Sequence, residues 1–277
     1  MTHEQVLEAW RRGGASRDRV LVELSQEDVL EWVARLVPGS VEGRRLAATL
    51  LGRSPHPADA LLRLRELAAD DDRYTRDAAV RAAGEILHCH FNEAYPLLGA
   101  WRTDANPLVR RAAVLVSGMA VHPLGMDRVE PLLRLLDPLL HDRAPEVRSA
   151  VEGVLARAFF PSYPDDLFEQ LTLWSASHDE QVLWHVATVL GQAPQAVARK
   201  ALIVLRRVAL DGRRYVRAAV ARALVRLAAT CPDAVGTELR RWLDDPERAP
   251  LAREALGRIG DELTLPGRTP VRSRPAG

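Results

Sequence analysis

The stretch DANPLVRRAAVLVSG, residues 104–118, sets an acid just ahead of a proline, an arginine six residues after the acid, then two alanines and a closing glycine. The same order returns as DDDRYTRDAAVRAAG (70–84), DRAPEVRSAVEGVLA (142–156) and DGRRYVRAAVARALV (211–225). Weaker copies are VEGRRLAATLLG (41–52), HDEQVLWHVATVLG (178–191) and DPERAPLAREALGRIG (245–260). Aligned on the arginine, the anchors are Arg44, Arg76, Arg110, Arg148, Trp184, Arg217 and Ala252, spaced 32–38 residues apart. That period is the length of a helical hairpin in a stacked array.

Each part of the unit has a physical task. Asp70, Asp104, Asp142 and Asp211 fall in the turn before the second helix of each pair. A carboxylate there accepts from free backbone amides and meets the positive end of the helix dipole. Pro107 and Pro145 suit a turn or first helical position, where no N–H is needed. The pairs Ala78/Ala79, Ala112/Ala113 and Ala219/Val220 let neighbouring helices approach closely, and Gly52, Gly84 and Gly118 point to tight packing or a helix end. First helices closing on Trp32, Trp101, Trp174 and Trp242 read as core between hairpins.

Composition bounds the function. With 277 residues, 47% hydrophobic and 27% charged, the chain can bury a substantial core. A net charge of +1 gives no global pull toward nucleic acid or membrane. Apolar residues recur at three- and four-residue spacing with few strand signals, which is an all-helical pattern. Two cysteines, Cys89 and Cys231, do not make a disulfide scaffold and fit a reducing cytoplasm. No apolar run approaches membrane length. HCHFNE (88–93) does not assemble a metal site, because residues two apart on a helix do not share a face. Phosphate loops, nucleophile elbows and HExxH are all absent from the sequence.

The acid in the turn followed by Arg in VR-x-A-A/V resembles HEAT repeats over about residues 38–260. The resemblance implies a ladder of Asp and Arg between adjacent repeats, here Asp104/Arg110 and Asp142/Arg148. At Trp184 and Ala252, where the Arg is missing, the ladder should be interrupted. The expected fold is an all-α, right-handed α-α superhelix of HEAT/armadillo type with about seven helical hairpins. Residues 1–37 form two capping helices, opened by the boxes THEQ and SQED; 38–262 carry the repeats, and 263–277 form a disordered tail.

Positions one, five and nine after each anchor share a helix face and avoid the apolar positions. They gather Arg45, Arg53, Arg81, Arg111, Arg157, Arg222, Arg226 and Arg253 against Asp77, Glu85 and Asp261. The first helices, as in SQEDVLEW and YPDDLFE, read as correspondingly acidic. A concave basic groove is therefore expected, holding a protein partner or nucleic acid through Arg45, Arg81, Arg111, Arg222 and Arg226. The function expected is a non-catalytic, cytoplasmic binding or scaffold protein, with no cofactor, metal or membrane.

An alternative comes from a second resemblance. LLGAWRTDANPLVRRAAVLVSG (97–118), and DGRRYVRAAVARALVRLAATCP followed by LRRW, resemble the bacterial HEAT-like alkylpurine DNA glycosylases of the DNA alkylation repair family. That family implies a concave DNA surface with aromatic side chains and a catalytic carboxylate near the lesion. On this resemblance Trp101, Trp174 or Trp184 would stack near an alkylated base. The chain departs from the pattern in that no Trp upstream of Trp101 is followed four residues later by Asp.

Overall fold

Apolar side chains at helical spacing, broken every dozen or so residues by Pro, Gly or Asp, leave each helix one stripe to bury against its neighbours. The computed structural model describes residues 2–25, 28–121 and 128–264, the last four through their backbone alone. Among the described residues there are helices and turns but no strand. In chain order the helices are α1 (His3–Arg12), α2 (Gly14–Ser25), α3 (Val29–Leu36), α4 (Val41–Leu51), α5 (Pro57–Leu67), α6 (Arg73–Cys89), α7 (Phe91–Trp101), α8 (Pro107–Ala120), α9 (Val129–Leu136) and α10 (Pro145–Val154). A π-helical turn, Leu155–Phe159, leads into α11 (Phe160–Ser162). Then follow α12 (Pro164–Trp174), α13 (Glu180–Leu190), α14 (Gln195–Val208), α15 (Arg214–Thr230), α16 (Pro232–Leu243) and α17 (Ala249–Thr264). Among the described residues seven helical hairpins follow the N-terminal helices, α3/α4 through α16/α17, an all-α fold of the HEAT/armadillo class.

The helices form two units, Met1–Leu167 and Phe168–Gly277. In unit 1 the second helices α4, α6, α8 and α10 pack one against the next; in unit 2, α13, α15 and α17 do the same. Glycine sets the closeness of these contacts. A Cβ on Gly52 would lie 3.0 Å from Cβ of Ala82, one on Gly84 2.9 Å from Cβ of Met119, and one on Gly118 2.8 Å from Val154. In unit 2 a Cβ on Gly191 would meet the Ala223 backbone at 2.7 Å. The recurring glycine is thus a contact point between repeats. Buried alanines and leucines fill the space between the rows, among them Ala79, Ala83, Ala112, Ala113, Leu50, Leu64 and Leu98. Each fully buried leucine contributes about 1.5–3 kcal/mol by leaving water.

The N-terminal region differs from expectation in two details. Residues 2–37 hold three helices rather than two, and α3 pairs with α4 as the first hairpin. Thr2 and Gln5 form the expected capping box, whereas Ser25 ends α2 and Asp28 caps α3 through the amides of Leu30 and Glu31. A side chain two residues from a free amide at the right extended geometry outcompetes one farther back. Of the expected tail, residues 263–264 close α17 and 265–277 lie outside the described residues.

The recurring acid and arginine bind repeats together in unit 1. Asp70, Asp104 and Asp142 each accept the amide two residues on, at 2.8, 2.8 and 2.9 Å, and so shape the turn rather than cap the helix itself. The cap is the next acceptor along, Asp72 for α6 and Asn106 for α8. Arg110 donates through Nη1 to the carbonyls of Asp104 and Ala105 in its own turn. Its Nε reaches the Asp142 carboxylate of the next repeat at 2.5 Å. Arg44 reaches Asp70 in the same way at 2.6 Å. Burial pushes the Asp142 carboxyl up, but Arg110 and the Ala144 amide outweigh it and hold it below the ordinary range. One rung departs from the family expectation: Asp104 is taken by Arg65 of α5, not by Arg76.

Candidate binding faces

Counting from the helix caps fixes which side chains share a face. The caps are Ser40, Asp72, Asn106, Ala144, Asp179 and Arg213. The fourth residue after each is Arg44, Arg76, Arg110, Arg148, Leu183 and Arg217. In α13 the anchor is therefore Leu183, not Trp184, and the sequence alignment was one residue out of step there. Trp184 instead takes the position of Arg45, Asp77 and Arg111, on the side of the second helix turned away from the core. The burial pattern agrees, since His185 and Val189, which the sequence alignment would place outward, are fully buried.

On unit 1 the outward positions carry Arg45, Arg53, Arg81, Arg111 and Arg157 against Asp77 and Glu85. Arg45 is not free: it holds Asp72 with two bonds of 2.8 Å and lies over the Tyr74 ring at 4.8 Å. The Arg45 guanidinium keeps the Asp72 carboxyl well below the usual carboxylate range. Arg81 is exposed, with Asp77 one turn before it and Glu85 one turn after. Arg111 is half-buried and is followed along α8 by Leu115 and Met119. Arg157, on the π-helical turn, folds its guanidinium over Gly153, in space that a Cβ would occupy.

On unit 2 the corresponding side of the second helices carries a stacked pair of aromatic rings. Trp184 stacks on Tyr215 of α15, with ring centres 5.3 Å apart and planes 11° from parallel. Glu180, one turn before Trp184, shares a shallow cleft with Arg213, Arg214, Tyr215 and Ala218. Arg222 and Arg226 stand exposed on α15, two and three turns beyond Tyr215 on nearly the same side. Arg253 is exposed on α17. Asp211, with no arginine reaching it from Leu183, is held by Arg213 at 2.9 Å through Nε. The ladder is interrupted at α13, as the missing arginine implies. Among the described residues, Arg81, Arg111, Arg222 and Arg226 enter no ion pair.

Two of the three tryptophans offered for stacking are placed otherwise. Trp101 is 2% exposed and Trp174 9%, both enclosed between helices, so neither presents a ring face outward. Their position at the end of a first helix explains this, because that end is covered by the next hairpin. Trp184 alone of the three reaches the surface in part. The expectation of acidic first helices also fails in unit 2. Helix α14 carries Arg199, Lys200, Arg206 and Arg207 and no acid, a signal present in the sequence and passed over because it lies outside the repeating motif. Among the described residues no group of His, Cys, Asp and Glu converges in a way that would hold a metal, and no helix is long and apolar enough to cross a membrane.

Comparison with known proteins agrees with this architecture. The family profile described as HEAT repeats matches residues 27–118, which include α3 and run to the last turns of α8. No curated protein matches the chain. Among solved structures, AlkD2 from Streptococcus mutans is 16% identical, with a TM-score of 0.53 over 71% of this chain and 96% of its own. The smu.31 protein of Streptococcus mutans UA159 is 17% identical, with a TM-score of 0.51 over 69% of this chain and 97% of its own. At these identities the likeness is one of fold. The chain thus carries HEAT repeats over residues 27–118, within an all-α stack of helical hairpins.

Proposed function

We propose that this chain is a non-catalytic HEAT-repeat binding protein, and that it holds an anionic macromolecular partner on the outward face of its second helices. The observation that carries the reading is the column Tyr215, Arg222 and Arg226 on α15, beside Trp184. Its guanidinium groups are exposed and without ion pairs among the described residues, so no internal acid competes for them. Unit 1 has its own cations without ion pairs among the described residues, Arg81 and Arg111, while Arg45 serves the fold. The test is binding of a labelled DNA duplex and of polyaspartate across a salt series. Binding should weaken as salt rises, and Arg222→Glu/Arg226→Glu should cut affinity about tenfold or more at low salt. Absence of salt-sensitive binding to either probe would sink the reading.

A second reading, excision of an alkylated base, is favoured by one arrangement. Glu180 lies beside the Trp184–Tyr215 stack, which puts a carboxylate next to a partly exposed tryptophan on the basic face. The repeat resemblance to alkylpurine glycosylases points the same way. Release of a methylated purine from alkylated DNA, lost in Glu180→Gln with folding intact, would replace the first reading with the second.

A further inference from the structure

The first-helix side of unit 2 carries a different surface. Helices α14 and α16 stand apart and leave a valley of about 620 Å³. Its floor and rim are Leu202, Ile203 and Ala234, and Arg199 and Arg241 stand on opposite walls. A second hollow continues it toward Gln195 and Pro232, past Arg199 and Asp233. From Gln195 to Arg206 the α14 wall runs about 16 Å, at 1.5 Å per residue. Ile203 is 62% exposed at its centre, a large aliphatic side chain left in water between cations.

The acids offset this charge only in part. Glu238 is turned inward, 5% exposed, and accepts from Arg206 Nη2 and from Trp242 Nε1, both at 2.7 Å. It pairs with Arg206, lies 3.7 Å from Arg241 and fixes Trp242 in the core, which leaves Arg199 as the cation of the lining without an ion pair among the described residues. Asp233, in the first turn of α16, is the one acid of the lining left outward. Lys200 and Arg207 of α14 turn instead toward α12, where Lys200 lies over the Phe168 ring and Arg207 donates to the Thr172 carbonyl.

We infer that this valley docks a short acidic amphipathic helix of a protein partner. Apolar side chains of such a helix cover Ile203 and reach Leu202 and Ala234, while its carboxylates meet Arg199 and Arg241. Charge complementarity names the acid, and the aliphatic centre names the protein. A nucleic-acid strand would gain little from an exposed isoleucine, and the valley lining includes no aromatic ring on which a base would stack. The inference is independent of the face proposed above, since it uses the other row of helices.

The probe is a short fluorescein-labelled peptide with leucines at helical spacing and glutamates between them, titrated by anisotropy at low salt. Saturable binding is expected, with slowed hydrogen exchange over 195–206 and 232–241. Ile203→Glu, and separately Arg199→Glu/Arg241→Glu, should each weaken it about tenfold or more. These positions are exposed, so circular dichroism should be unchanged. Arg222→Glu/Arg226→Glu, on the other face, should leave peptide binding intact. The inference fails if the peptide does not saturate. It also fails if the two valley variants bind like the parent, or if duplex DNA occupies the site in an Ile203-independent way and displaces the peptide.

Discussion

Units 1 and 2 use one hairpin plan with different fastenings between repeats. In unit 1, Arg44 and Arg110 reach forward to the carboxylate of the next turn, and the outward face is partly consumed by pairs such as Arg45–Asp72. In unit 2 the equivalent of the arginine at α13 is Leu183, and adjacent second helices are joined there by the Trp184–Tyr215 stack and the Gly191–Ala223 contact. An aromatic stack needs no countercharge, and Arg222 and Arg226 of α15 enter no ion pair among the described residues. The same residue type is thus structural at Arg44, Arg45 and Arg110 and without an ion pair, among the described residues, at Arg222 and Arg226.

The largest way to break this contrast is to remove a rung. Arg110→Met leaves the Asp142 carboxylate, 7% exposed, without its guanidinium and frees two carbonyls. A loss of about 3 kcal/mol is expected by urea unfolding, near the lower range for uncompensated buried charges. Its pH dependence follows from the depressed Asp142 carboxyl. The unfolded group titrates near about 3.9, so the rung contributes fully above that pH and is lost as pH falls through the lower folded value. Arg110→Met should therefore be least different from the parent in acid; a constant difference down to low pH would contradict the rung.

Next comes the glycine contact that both units share. Gly191→Ala would bring a methyl against the Ala223 backbone, which cannot rotate aside, and should cost about 2 kcal/mol by thermal or urea unfolding. Gly118→Ala meets the Val154 side chain and should cost less, because a side chain yields more readily than backbone. Equal or absent effects would mean that the helices can separate freely.

The smallest effect sharpens the comparison most. Arg45→Ala should lower stability by about 1 kcal/mol, through loss of the half-buried Asp72 pair and the Tyr74 contact. Arg222→Ala should stay within about 0.5 kcal/mol, as an exposed residue without an ion pair. If calorimetry gave the reverse order, the division between structural and available arginines would be wrong.

Much of this was legible beforehand because it depends on local spacing. The acid-to-arginine interval located the hairpins, and Gly52, Gly84 and Gly118 marked close contacts that the structure places between second helices. The faces were less legible. Arg45 read as a contact residue because its partner, Asp72, is 27 residues away and belongs to the next hairpin. Trp184 read as an anchor because α13 has no arginine to set its register; only the cap at Asp179 does so. The basic character of α14 lies outside the acid-to-arginine motif, which marks only the second helices.

The amino-acid sequence by itself determined that this chain is a stack of helical hairpins, because periodicity and turn chemistry act within one or two turns of the backbone. Tertiary structure alone decided which arginines are spent on neighbouring repeats, which ring reaches the surface, and where two first helices stand apart around Ile203. Those outcomes depend on which side chain of the next repeat arrives within bonding distance, and that distance is fixed by packing rather than by position along the chain.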